Sequence, residues 1–285
     1  MTNNKTAEKN HLKRKRLYLL DMDGTLYLDD RLFEGAADFL SHIRASGGKY
    51  VFLTNNSSRG VGSYTEKMLR LGVPAQNGDF ITSVDALVYR LVNCYGSRAK
   101  DQRMYIMGTD SFKGQMRDQG FNITDRFEDD IKTLIVGFDR ELTFVKLEDA
   151  CRLLSRKERV DYFATNPDWV CPTEYGFVPD CGSIVFMLEK ATGRKPEFVG
   201  KPKPQMAYLA MERFGFSPEE TLLIGDRLYT DIACGINAGV DTAFVLSGEG
   251  KIKDIDETGF IPTYIFEGVG EISEKIFGGK SDHEA

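Results

Sequence analysis

Short apolar runs, each ended by polar residues and followed by an amphipathic stretch, recur along the chain and predict alternating buried strands and helices. Residues 17–20, Leu-Tyr-Leu-Leu, are apolar without alternation, the pattern of a strand buried on both faces of a parallel sheet. Similar runs at 49–53, 104–107, 133–136, 162–164, 198–199, 222–225, 242–246 and 264–266 predict further strands. Between them, 36–46 carries Phe39, Leu40 and Ile43 on one helical face and meets Gly47-Gly48, a natural stop. Tyr64, Met68 and Leu71 mark a second helix, closed by Gly72. Pro204 suits the first turn of a helix bearing Met206, Leu209, Ala210 and Phe214 and ended by Gly215. Residues 145–156 and 183–191 read as helices, as does a segment from Asp231 to Ala238. The fold class is α/β, and because the pattern restarts after residue 82, the expected organisation is a core of 17–82 and 183–285 interrupted by an inserted α/β domain at 83–182.

Composition narrows the function classes. At 285 residues and 41% apolar the chain can bury a substantial core, and no apolar run approaches the roughly 18 residues of a membrane span. The start has a basic cluster, Lys13 to Arg16, without the apolar segment of a signal peptide, so residues 1–16 read as a flexible basic tail. A formal net charge of −6 argues against a nucleic-acid partner for that cluster. Five cysteines without C-x-x-C spacing favour reduced thiols and a cytoplasmic location. His11 and His283 lie in polar tails and His42 in a helical pattern, which leaves little for a histidine triad or a zinc site. Carboxylates and lysine must then carry any catalysis.

The polar residues that end the strands are of the required kinds. Asp21 and Asp23 follow the first strand, and Gly24 gives the backbone a sharp exit; in open α/β sheets, ligands bind beyond the carboxyl ends of strands. Two adjacent carboxylates stay ionised only beside a cation or hydrogen-bond donors, and Mg²⁺ is a suitable ion, although D-x-D-G is equally an ordinary turn. Thr54, Asn55 and Asn56 end the second strand and form either an anion site or a helix N-cap. Thr165-Asn166-Pro167-Asp168-Trp169 reads as a turn on spacing alone. Lys201, between Gly200 and Pro202, can aim an ammonium at a fixed point, and Asp226 and Asp231 follow another apolar strand.

D-M-D-G-T matches the D-x-D-x-T signature of the haloacid dehalogenase (HAD) superfamily of phosphohydrolases, and the chain resembles the NagD-like, p-nitrophenylphosphatase-like branch. T-N-N-S-S, the lysine after a strand and G-D-R-L-Y-T-D-I resemble its later motifs, in the family's order from Asp21 to Asp231. The resemblance implies a Rossmann-like parallel-sheet core with an inserted cap of class IIA. It implies Asp21 as nucleophile forming an aspartyl-phosphate, Asp23 as acid and base, and Lys201, Thr54, Asn55 and Asn56 on the phosphoryl group. It further implies Mg²⁺ held by Asp21, Asp226 and the Asp23 carbonyl, with Asp231 orienting the metal's waters. The substrate class is small phosphorylated metabolites, such as sugar phosphates or nucleotides, with p-nitrophenyl phosphate in vitro. NagD-like proteins carry T-N-P-D in a cap that faces the active site, so Asn166 and Asp168 are the expected contacts to a leaving group, while Trp169 is expected to pack. Cys181-Gly182-Ser183-Ile184 resembles the return from cap to core. A phosphotransferase or mutase, and a non-catalytic phosphate-binding regulatory module, are the rival readings; the second acid at Asp23 argues for turnover. No membrane partner is expected, and a homodimer stays open.

Overall fold

The first apolar run is a central strand of a six-stranded sheet. The computed structural model describes residues 11–156, 160–173 and 175–278, and in it Leu17–Leu20 (β1) is buried along its whole length. A strand with no polar face needs cover on both sides, which a parallel sheet flanked by helices supplies. Tyr27–Leu28 (β2) and Arg31–Leu32 (β3) form a small hairpin after it. Lys49–Thr54 (β4) pairs with β1 in parallel, and Phe80–Thr82 (β5) lies beyond β4. On its other side β1 pairs in parallel with Thr221–Gly225 (β13), followed by Asp241–Val245 (β14) and Tyr264–Phe266 (β15). The winding thus reverses between β1 and β13, the place where open α/β sheets bind ligands. Leu20 is in register with Ile224, so Asp21 and Asp226 leave neighbouring strands at the same end of the sheet.

By its contacts the chain forms two units, of which the first holds the residues up to Leu53, Thr65–Ile81 and those from Pro202 onward. The helix Ala36–Ala45 buries Ala36, Phe39, Leu40 and Ile43, the stripe read from the sequence, and packs on the helix Val269–Phe277. Gly35 lets the two helices meet, since a Cβ there would come within 2.6 Å of the Gly270 Cα. His42 is absorbed by this packing, with Nδ1 at 2.9 Å from Ser273 Oγ and its ring against Phe277.

The second unit holds Thr54–Tyr64 and Thr82–Lys201. Met104–Met107 (β6), Ile123–Thr124 (β7), Thr133–Val136 (β8), Asp161–Ala164 (β9) and Glu197–Phe198 (β12) form a parallel sheet in the order β12-β9-β8-β6-β7. Val170–Thr173 (β10) and Gly176–Pro179 (β11) make an antiparallel hairpin. The helices Ser83–Tyr95, Asp110–Asp118, Phe144–Leu154 and Cys181–Thr192 belong to the same unit. No helix among the described residues is long and apolar enough to cross a membrane, and the five cysteines form no disulfide.

Two boundaries differ from the sequence reading. The insertion does not close at 182: Cys181, Ile184, Val185 and Leu188 are part of the second core cluster, and β12 pairs with β9, so the chain stays with this unit through Lys201. Periodicity showed a helix there but not which sheet it covers. The basic tail is also shorter than 1–16. Residues 1–10 lie outside the described residues, as do His283 and the last segment, but Leu12 and Lys15 are buried. Lys15 Nζ lies 2.6 Å from Asp241 Oδ2 and donates to the Glu219 carbonyl at 2.7 Å, while Arg16 donates to the Ser46 carbonyl. Three of four consecutive cations are solvated and one is an internal strut, which charge counting does not distinguish.

Replacing Lys15 by Met should therefore destabilise the fold by about 2 kcal/mol, the cost of breaking a buried charged hydrogen bond, and Lys13→Ala, on an exposed side chain, by less than about 0.5 kcal/mol. Urea unfolding of both variants checks this; equal midpoints would reject the strut.

Candidate active site

Asp21 leaves β1 with its N–H donating to the Ile224 carbonyl at 2.9 Å, so the strand pairing itself sets where the carboxylate begins. The chain then turns tightly: Leu26 N donates to Met22 O and Gly24 N to Tyr27 O, each at 2.9 Å. Gly24 takes φ +86°, and a Cβ there would stand 2.5 Å from Asp226 Oδ2. Glycine is needed at this point for both the turn and the approach of the acid.

Three carboxylates converge. Asp21, Asp226 and Asp231 each place an oxygen within 4.8 Å of the others, and Asp226 and Asp231 are almost fully buried. Burial first, then the charges of Asp21 and Asp231, push the Asp226 carboxyl up to about 8, against the opposing effects of Arg227 and the Glu249 N–H. Dry like charges at this separation are costly unless a cation joins them. The all-oxygen donor set fits a hard divalent ion such as Mg²⁺. Asp23 stands apart from this group: its side chain is more exposed, with Oδ1 at 3.9 Å from Lys67 Nζ.

Several residues that hold the acids carried no individual signal in the sequence. Thr25 is fully buried, with its hydroxyl 3.4 Å from both Asp21 Oδ2 and Asp226 Oδ1. The loop after β14 also reaches Asp226. Glu249 N donates to Asp226 Oδ2 at 2.8 Å, Gly250 N to the Asp226 carbonyl at 3.1 Å, and Ser247 Oγ to the Gly24 carbonyl at 2.8 Å. Lys67, which also covers the Tyr27 ring at 3.8 Å, is a further addition. Only the threonine of D-x-D-x-T could have been found by motif. Asp231 sits in a π-helical turn, Leu228–Ile232, with the α-helix confined to Ala233–Ala238, where the sequence reading began a helix at Asp231. The wide turn lets the Asp231 carboxylate accept from Arg227 N at 3.1 Å, and π-turns are frequent at functional sites.

The second unit gathers the other predicted residues. The loop after β4 is tied by its own side chains: Thr54 Oγ1 accepts from Asn56 N at 3.1 Å, and Asn56 Oδ1 accepts from Ser58 N at 2.9 Å and Ser58 Oγ at 2.7 Å. Asn55 is joined to Lys201, Asn166 and Asp168 by side-chain hydrogen bonds of 2.9 to 3.0 Å. Asn166 and Asp168 are buried. The resemblance assigns them to a leaving group; in this structure they hydrogen-bond to Asn55 and to each other. Trp169 is half exposed, edge-on to Phe186 at 5.6 Å between ring centres.

The model of haloacid dehalogenase-like hydrolases matches residues 18–122, and that of HAD-like hydrolases residues 198–272. The 4-nitrophenylphosphatase of Thermotoga maritima is 36% identical, covers 93% of this chain and 99% of its own, and superimposes with a TM-score of 0.85. A glycerol phosphate phosphatase of Mycobacterium tuberculosis, solved in complex with magnesium, is 30% identical over 92% of this chain and 78% of its own, with a TM-score of 0.82. The acid sugar phosphatase of Staphylococcus aureus is 29% identical over 91% of this chain and 97% of its own. With a buried acid cluster at the switch point of a parallel sheet and likeness of this extent along nearly its whole length, the chain belongs to the haloacid dehalogenase-like hydrolases, in their NagD and p-nitrophenylphosphatase branch of phosphatases.

Proposed function

We propose that the protein is a Mg²⁺-dependent phosphatase of small phosphate monoesters, sugar phosphates among them, acting through a phosphorylated Asp21. The observation that carries this reading is the convergence of Asp21 with the buried Asp226 and Asp231, a cluster of acids at a sheet terminus. Among its relatives are an acid sugar phosphatase and a glycerol phosphate phosphatase, both named for phosphate esters of small polyols.

In this reading Asp21 attacks phosphorus in line with the leaving oxygen, forming one P–O bond as the other breaks. The Thr25 hydroxyl lies 3.4 Å from Asp21 Oδ2 and helps to orient the carboxylate. Asp23, protonated at that moment, gives its proton to the leaving oxygen and later takes one from the water that cleaves the aspartyl-phosphate. Its more exposed position suits exchange with solvent. By resemblance, Lys201, the Thr54 hydroxyl and the Asn55 N–H neutralise and hold the phosphoryl oxygens. The carboxylates of Asp21 and Asp226 and the Asp23 carbonyl would hold Mg²⁺, with Asp231 behind them. Bound there, the ion supplies the positive charge that lets an anionic nucleophile approach an anionic ester.

Asp21→Asn should abolish turnover, while Asp23→Asn should lower it about 10²- to 10⁴-fold, more for an alkyl phosphate than for p-nitrophenyl phosphate with its better leaving group. Equal losses for the two esters in steady-state assays would reject the acid role of Asp23. A chelator should remove activity, Mg²⁺ restore it and Ca²⁺ inhibit, because the larger ion tolerates both Asp21 oxygens as ligands and leaves none to attack. Full activity in a metal-free preparation would overturn this arrangement.

The raised Asp226 carboxyl adds a pH dependence. Below about 8 the metal must displace a proton from Asp226, so its affinity falls as pH falls. The half-saturating Mg²⁺ concentration should drop by up to about tenfold per unit between pH 6 and 8 and level off above. A flat dependence over that range would show that Asp226 does not bind the ion.

A further inference from the structure

We propose that Asp168 and Asn166 are positioning residues that act on Lys201 through the side chain of Asn55, an inference that rests on the phosphatase reading above. The Asn55 carboxamide brackets the Lys201 backbone: its Oδ1 accepts from Lys201 N at 2.9 Å and its Nδ2 donates to Lys201 O at 3.0 Å. An amide NH₂ has a second hydrogen, and it goes to Asp168 Oδ2 at 2.9 Å. A flipped carboxamide would set two donors face to face at Lys201 N and an oxygen against the Asp168 carboxylate. One orientation is therefore selected. Asn166 fixes the same residue from its backbone side, donating from Nδ2 to the Asn55 carbonyl at 2.9 Å while its Oδ1 accepts from Asp168 N at 3.0 Å.

The sheet explains why these residues meet. β9 and β12 are parallel neighbours, and their pairing continues through Gly200 N to the Thr165 carbonyl at 2.9 Å, so T-N-P-D and Lys201 leave the sheet side by side. Gly200 is the opening in this knot. A Cβ there would stand 2.5 Å from Asn55 Oδ1 and 2.5 Å from the Thr165 carbonyl, so a larger residue would expel the carboxamide. Every one of these bonds is buried, where a hydrogen bond is strong and its loss is costly.

Lysine is a point charge on a flexible four-carbon stem, so its reach is defined only as well as its backbone. Holding the N–H and the carbonyl of Lys201 to one side chain removes the freedom nearest the root of that stem. The bonds of the knot run to the backbone at the root of Lys201. Loss of the knot should then slow every ester by one factor, unlike the loss of a substrate contact.

Asp168→Ala should lower kcat about 10- to 10²-fold, the scale of a misplaced catalytic group, by the same factor for p-nitrophenyl phosphate, glycerol phosphate and a sugar phosphate. KM and the half-saturating Mg²⁺ concentration should change less than about threefold on that scale. Asp168→Asn, which keeps an oxygen to accept from Asn55, should recover most of the loss, and serves if the alanine variant does not fold. In a Lys201→Ala background, measured by single turnover, Asp168→Asn and Asp168→Ala should cost nothing further, since a positioning residue is silent once the group it positions is gone. Losses that differ among the three esters, that appear in KM, or that multiply with Lys201→Ala would overturn the proposal, as would unchanged kcat in the folded alanine variant. Wild-type protein without activity on any of the three esters would instead overturn the phosphatase reading itself.

Discussion

The repulsion among three converging carboxylates, two of them buried, is the constraint around which the first unit is arranged. Asp226 and Asp231 follow the same strand, β13, and Asp21 follows its neighbour β1, so the parallel register that buries Leu17–Leu20 also brings the acids together. Nothing in hydrophobic packing requires this, and it opposes folding. The surrounding backbone concedes space to the acids: Gly24, Gly225 and Gly248 all lie where a Cβ would run into Asp226 or Asp231. Groups that offset the repulsion include Thr25, the amides of Glu249 and Arg227, and the charge of Arg227. Burial beside two other acids outweighs them and leaves the Asp226 carboxyl pushed up to about 8. Such a penalty at a sheet terminus is one that the proposed Mg²⁺ would relieve.

The sequence made the strands legible because they are buried on both faces. Runs at 104–107, 133–136 and 264–266 coincide with β6, β8 and β15, since an all-apolar run bounded by polar residues has few other uses in a chain of this composition. The hairpins β2–β3 and β10–β11 were not legible, being short and only half buried. Nor was the partition of the chain. The helix Cys181–Thr192 is as apolar as one covering either sheet, and only its contacts with β8, β10 and β11 assign it.

Within the site, residue type was legible and role less so. Asp21, Asp226 and Asp231 could be found because a strand followed by an acid is a local pattern. Thr25 could be found only as part of the D-x-D-x-T match, and Ser247 could not be separated from ordinary turn residues, because what distinguishes it is a partner more than two hundred positions away. Lys15 looked like its solvated neighbours for the same reason: its partner, Asp241, is distant in sequence. Asn166 and Asp168 show the reverse case. Spacing alone reads their segment as a turn and only the resemblance points to a leaving group; an Asn-Pro-Asp turn also satisfies polar groups by turning them inward.

Charge balance is the physical difference between the two polar groups of this protein. In the second unit, amide donors meet amide and carboxylate acceptors, and Asn55 uses both hydrogens and the oxygen of its side chain within a few ångströms. In a buried network of that kind the loss of one member leaves its partners stranded. In the first unit, three carboxylates crowd together, each with an oxygen within 4.8 Å of the others. Both groups are buried, polar and placed at strand ends, so burial and motif alone would class them together. The kinds of group that meet separate them: in one, amides hold the Lys201 backbone, and in the other, like charges converge where the proposed cation would sit.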